Sequence, residues 1–341
     1  MSGLRQPVVL LLLATVAPFI ACFGGFLALE RRSLLTTPQV YIAELKREGT
    51  LTYMIPLERW KRTLAADETC RRARVVVIGS SRVREIDDSV VGTSICNLYV
   101  DGLGTIGFER LSYALPPRAP SEPRQIVYYG LDHFSFWNDP ADPTEPLDRW
   151  LLAHTPAVWP IYAGLSTLDY FQWRDLVEVV RRARREAGGF DDQRSIWYPD
   201  GHLYNARYYA LKRAGRAADV RNGNAHVLVA GEFASGGIRT ANTDALRRAV
   251  QRLHDNGYAV RAYWNPVASQ HIAVAAHDYP TAYRDTIDQI DRLAATLPFE
   301  RYVPAAATLD ADRFGCSNDW LDTGHVDRDC MRRMFAATFA N

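Results

Sequence analysis

The feature that most restricts the fold is the run Val75-Val76-Val77-Ile78, closed at once by Gly79 and the polar residues Ser80-Ser81-Arg82. A strand with one wet face alternates apolar and polar side chains. An unbroken run of β-branched residues instead reads as a short strand buried on both faces, the habit of parallel sheets covered by helices. Further strands are expected near 94–98, 124–129, 258–264 and 300–304. Amphipathic helices intervene. Residues 242–256 set Leu246, Ala249, Val250 and Leu253 on one face, with Gly257 at the C-cap. Residues 280–296 do the same with Ile287, Ile290, Leu293 and Ala294.

Alternation of strand and helix predicts an α/β fold with a parallel sheet in flavodoxin-like order. In such sheets ligands collect at the carboxyl ends of the strands. Ser81 falls at that point after the first strand, and the polar stretch Ser80 to Val91 is expected to begin a helix. A helix N-terminus there would favour developing negative charge. Near the other end of the chain stands Asp322-Thr323-Gly324-His325, whose spacing lets one loop present a carboxylate and an imidazole together. A serine hydroxyl is a poor nucleophile near neutral pH; it needs a base within hydrogen-bond reach and a carboxylate to orient that base. Ser81, His325 and Asp322 supply these residue types, with Asp319 a second candidate for the orienting role.

These blocks resemble the SGNH, or GDSL-like, hydrolase superfamily. Gly79-Ser80-Ser81-Arg82 matches the block around the nucleophile, with Ser81 in the nucleophile position. Asn97-Leu98-Tyr99-Val100-Asp101-Gly102 matches the second block, Gly130-Leu131-Asp132-His133 the third and Asp322 to His325 the last. Order and strand context agree over roughly 70–135 and 240–330. The likeness is greatest to the membrane-anchored branch that modifies cell-envelope polysaccharides, including the alginate O-acetylation proteins.

The resemblance implies a serine esterase or O-acyltransferase acting on an exported polysaccharide, without a cofactor. It implies an oxyanion hole from Ser81, Gly102 and the third-block residue, and a multi-pass membrane protein as acyl-donating partner. The third-block asparagine of the family is Asp132 here, and an ionised carboxylate accepts hydrogen bonds but donates none. This departure leaves open a non-catalytic glycan-binding or scaffold subunit; a lipid or thioester hydrolase unrelated to glycans is a third possibility.

At 341 residues and 48% hydrophobic composition the chain can bury one large core or two smaller ones. A net charge of +1 gives no reason to expect nucleic acid as a partner. Val8 to Leu29 is uncharged and apolar; as a helix it would extend about 33 Å, enough to span the inner membrane. Arg5 precedes it and Arg31 and Arg32 follow it, so the charge rule does not orient it. Residues 33–66 are expected as a helical connector, and 70–341 as the main domain, interrupted by an insertion over about 133–240.

That insertion starts with a Pro-rich loop over 139–146 and includes an expected helix over 165–186. It holds Trp137, Trp150, Trp159, Tyr162, Trp173, Trp197, Tyr198, Tyr204, Tyr208 and Tyr209, aromatics that either stack on sugar rings or fill a local core. Arg181, Arg182, Arg184 and Arg185 are either a solvated helix face or a contact for an anionic polymer.

Outside the apolar segment lie Cys70, Cys96, Cys316 and Cys330, which allow three pairings. Cys70–Cys96 and Cys316–Cys330 are expected, in keeping with an oxidising periplasm; four reduced thiols are the alternative. Arg82 and His271 are candidate substrate contacts, and His271 is also a rival base for Ser81. His133 and His202 have no accompanying ligand spacing, so no metal is expected.

Overall fold

The computed structural model describes residues 37–51, 57–136, 195–214, 225–226, 229–230, 232–233, 237–316 and 324–339. The chain divides into two compact units. One comprises Met1–Tyr41, Tyr53–Ile55 and Pro143–Asp191; the other comprises Ile42–Thr52, Pro56–Asp142 and Asp192–Asn341. The five-stranded sheet lies in the second. The expected membrane anchor at 8–29 and the helix at 165–186 lie outside the described residues. Among the described residues no helix is long and apolar enough to cross a membrane. Helices Pro38–Glu48 and Leu57–Ala65 fall within the expected connector.

The sheet is built from β1 (Val75–Ile78), β2 (Ile95–Asn97), β3 (Ile126–Leu131), β6 (Ala259–Trp264) and β7 (Arg301–Val303). All neighbours pair in parallel, in the order β2-β1-β3-β6-β7. Numbering only these strands gives 2-1-3-4-5, the flavodoxin-like order expected from the alternation. β1 is buried along its whole length because helices cover both faces.

Consecutive tyrosines on β3 show the two layers. Tyr129 stacks on Phe108 of helix Thr105–Ala114, which packs against helix Thr240–Asp255. Tyr128 points the other way, onto Phe335 and Phe339 of the C-terminal helix Arg328–Phe339. Tyr263 on β6 meets the same two phenylalanines.

The helix expected to begin in Ser80–Val91 forms only in pieces. A 3-10 turn, Ser81–Val83, is followed by a short helix, Asp88–Val91. Two side chains account for the break. Asn97 Nδ2 donates to the carbonyls of Val83 (2.8 Å) and Ile86 (2.9 Å), while Asp87 caps the second helix by accepting from Ser89 N and Val90 N.

Part of the expected insertion belongs to this unit. A hairpin of β4 (Ser195–Trp197) and β5 (Leu203–Asn205) is joined to it by hydrogen bonds from Leu203 N to Arg84 O (2.8 Å) and Asn97 N to Asp200 O (2.6 Å). Trp197 stacks on Tyr99 and meets Trp60 edge-on, beside the ammonium of Lys61. It is 3% exposed, so core packing, not an open sugar platform, is its role. Tyr204 stacks on Tyr209. Trp137, Trp150, Trp159, Tyr162, Trp173 and the four clustered arginines at 181–185 lie outside the described residues.

Both expected disulfides are present. Cys70 is bonded to Cys96 with Cα atoms 4.9 Å apart, and Cys316 to Cys330 with Cα atoms 5.4 Å apart.

Candidate active site

Ser81 begins the 3-10 turn at the carboxyl end of β1. Ser80 is 1% exposed, and its hydroxyl accepts from Arg82 N at 3.2 Å, which makes it the N-cap. Ser81 is half-buried and keeps a route to solvent. The chain after β2 runs beside this turn, held by Leu98 N to Val77 O (2.8 Å) and Val100 N to Gly79 O (3.0 Å). It brings Gly102 to the same sheet edge with φ of 64°, a left-handed conformation that glycine adopts without strain.

His325 arrives from the other end of the sequence. Its Nε2 is 2.8 Å from Ser81 Oγ, a separation of 244 residues closed by one hydrogen bond. The histidine is placed from both sides. Downstream, Asp327 caps the C-terminal helix by accepting from Cys330 N (2.9 Å), and the Cys316–Cys330 bridge secures that helix start. Upstream, Arg82 Nε donates to the carbonyl of Gly324 at 3.2 Å. The residue after the nucleophile therefore holds the residue before the base. Asp322 and Asp319, the candidates for orienting His325, lie outside the described residues.

Three expectations for neighbouring residues change. Arg82 was expected to contact substrate, but it is 7% exposed, and its guanidinium is engaged inside the protein. Besides Gly324 it binds Asp132 Oδ1 (2.7 Å) and Glu232 Oε1 (2.9 Å), with Phe134 lying 5.2 Å from its carbon.

Asp132 was the candidate third oxyanion donor. Its second oxygen accepts from Asn265 Nδ2 at 2.8 Å, so both carboxylate oxygens are acceptors and the residue anchors Arg82. Gly130 makes room for this. A Cβ there would lie 2.3 Å from Asn265 Oδ1 and 2.8 Å from Val83. His271, the rival base, is 1% exposed and directs Nε2 to Glu232 Oε2 at 2.7 Å, not to Ser81.

Glu232 is the residue that sequence reasoning missed. It receives His133 Nε2 (2.6 Å) and His271 Nε2 on one oxygen and Arg82 on the other. Burial alone would raise its pKa, but the charges of His133 and Arg82 and the hydrogen bonds from His133 and His271 outweigh it. They hold the carboxyl well below the usual range. Burial pushes the His271 imidazole down, against the pull of Glu232. His133, Glu232 and His271 bring three ligand-type atoms within 4.8 Å of one another, a convergence that the missing ligand spacing around His133 and His202 did not suggest. Nothing in the spacing of 133, 232 and 271 could have signalled it.

The arrangement supplies an accessible serine hydroxyl on an imidazole at the ligand-binding edge of a parallel sheet, backed by a buried ion-pair network. No protein-family model matches the chain, and a search of curated proteins finds no match, so the chemistry rests on this geometry.

Proposed function

We propose that the protein is a serine O-acyltransferase or esterase of SGNH type, acting on an exported polysaccharide from a periplasmic domain behind an N-terminal membrane anchor. The observation that carries the chemistry is the 2.8 Å contact between His325 Nε2 and Ser81 Oγ. As Ser81 Oγ attacks the carbonyl carbon of an acyl donor, His325 takes its proton. The oxyanion forms beside the N–H groups of Ser81 and Gly102. Collapse breaks the bond to the leaving oxygen, which receives the proton from His325, and the acyl group stays on Ser81. His325 then deprotonates a sugar hydroxyl or water, which attacks the acyl-serine and regenerates Ser81. Asp322 is proposed to orient the imidazole through Nδ1. The acceptor, sugar or water, decides between transferase and esterase.

The test is acetyl release from small aryl esters by the full chain. Ser81→Ala should abolish it while Ser80→Ala retains most of it, because Ser80 only caps the turn. Equal activity in both variants, or labelling of Ser80 by an organophosphonate, would remove Ser81 from the nucleophile role. One observation favours a second reading, a non-catalytic glycan-binding or scaffold subunit. Asp132 stands where a donor is expected and is engaged with Arg82. Wild-type protein inert toward aryl esters and unlabelled by the phosphonate would favour that reading.

A further inference from the structure

The buried cluster beside the dyad has a composition that the acyl-transfer steps do not require. His133 opens the 3-10 turn after β3, and His271 lies in the first turn of helix Ser269–Asp278 after β6. The two strands are neighbours and end in register, Leu131 opposite Trp264, so the two histidines follow from adjacent strand ends. Glu232 completes the group. We propose that His133, His271 and Glu232 form a binding site for one divalent transition-metal ion, with Zn2+ the best match to two imidazole nitrogens and one carboxylate oxygen.

Three observations support this. The donor set is that of a three-ligand zinc site, with the remaining coordination left for water. Its ligand atoms are close to the required spacing. Zinc bonds of about 2.0–2.1 Å in tetrahedral geometry set ligand atoms about 3.3 Å apart, so the imidazoles, now 2.6 and 2.7 Å from Glu232 Oε2, would withdraw by about 0.6–0.7 Å.

His271 Nδ1 is buried without a hydrogen-bond partner. Metal binding through Nε2 would carry the ring proton to this nitrogen.

Finally, the surrounding charge favours a cation. Among the described residues, Asp132 and Glu232 bring two carboxylates to the one guanidinium of Arg82. Arg82 occupies only Oε1 of Glu232, so it fixes the carboxylate from the second shell and leaves Oε2 to the metal.

The experiment uses the full chain, produced without a histidine tag and stripped with a chelator. Zn2+ is titrated in competition with a chromophoric chelator, and Co2+ is added separately to read its visible spectrum. One tight equivalent of Zn2+ is expected, with Co2+ giving the intense visible bands of nitrogen- and oxygen-ligated metal in a low-symmetry site. His271→Ala and Glu232→Ala should each weaken Zn2+ by more than about 100-fold, beyond the usual second-shell effect. His277→Ala is the control, because His226, His277 and Asp278 form an exposed cluster that could bind metal adventitiously. Binding that is lost with His277→Ala but kept with His271→Ala overturns the proposal. So does wild-type protein that takes up no tight Zn2+ and leaves Co2+ with only its aqueous spectrum, a result that also covers variants that fail to fold. Esterase activity does not enter these readouts, so the metal site and the acyl-transfer reading stand or fall separately.

Discussion

Asp132→Asn separates two roles for one position. If the side chain at 132 faces the oxyanion, an amide supplies the missing donor, and turnover rises by the factor of about 10²–10³ that one such donor is worth. If Asp132 is the counter-ion of Arg82, the same change does harm. The carboxylate is 1% exposed and accepts from Arg82 at 2.7 Å and Asn265 at 2.8 Å. Breaking a buried ion pair from one side costs about 3–5 kcal/mol. Arg82 retains Glu232, which argues for the lower end. Asn265 can also flip its amide, because its Oδ1 is buried without a partner and could accept from the new Nδ2. What remains is an ion pair turned into a hydrogen bond from a cation to a neutral amide, and the loss comes to about 2 kcal/mol.

At roughly 2–4 °C per kcal/mol, melting followed by circular dichroism should fall by about 4–8 °C at pH 7. Turnover of an aryl acetate should fall too, since a loosened Arg82 releases the Gly324 carbonyl and with it the placement of His325. An unchanged melting temperature with raised turnover would refute the reasoning and return Asp132 to the oxyanion.

Burial raises the Glu85 carboxyl to about 7, against the Arg84 charge and the hydrogen bond from Tyr209. A raised acid stabilises the fold below its unfolded pKa of about 4.5, and that stability is lost as pH climbs through about 7, about 3 kcal/mol in all. The melting temperature should therefore fall from pH 5 to pH 8 more steeply in wild type than in Glu85→Gln; parallel curves would exclude Glu85 as the cause. Replacing Cys316 and Cys330 together by serine opens a loop of sequence separation 14. It should cost about 3 kcal/mol on the chain-entropy model, with turnover falling more than binding because the His325 loop loses its brace; full turnover in the folded double variant would contradict the brace. A C-terminal alkaline phosphatase fusion of the full chain should be active if the domain faces the periplasm, and a reporter active only in the cytoplasm would reverse the proposed topology.

Some of this protein is written in local sequence. Val75 to Ile78 reads as a doubly buried strand, and a parallel sheet covered on both faces follows from it together with its successors. The helix Thr240–Asp255 was legible from Leu246, Ala249, Val250 and Leu253, which recur at helical spacing and are all buried. The pairing of Ser81 with His325 was legible because each residue type has a chemical requirement that the other meets. The disulfides were legible because few pairings existed.

What sequence left undecided depends on side chains that meet across strand ends. Ser80 to Val91 has the composition of a helix start, yet Asn97, a residue of another strand, takes the carbonyls that a helix would use. Arg82 looks like a surface cation. It becomes a buried clamp only because Asp132 follows β3, Glu232 comes from a distant segment and Gly324 precedes the base. The His133–Glu232–His271 convergence likewise has no spacing signature, because two of its members follow the paired strands β3 and β6 and the third lies 99 residues beyond His133. Periodicity reports which face of an element is buried. Which charges share that burial is decided by the parallel register of the sheet, where desolvation penalises any carboxylate or guanidinium left without its partner.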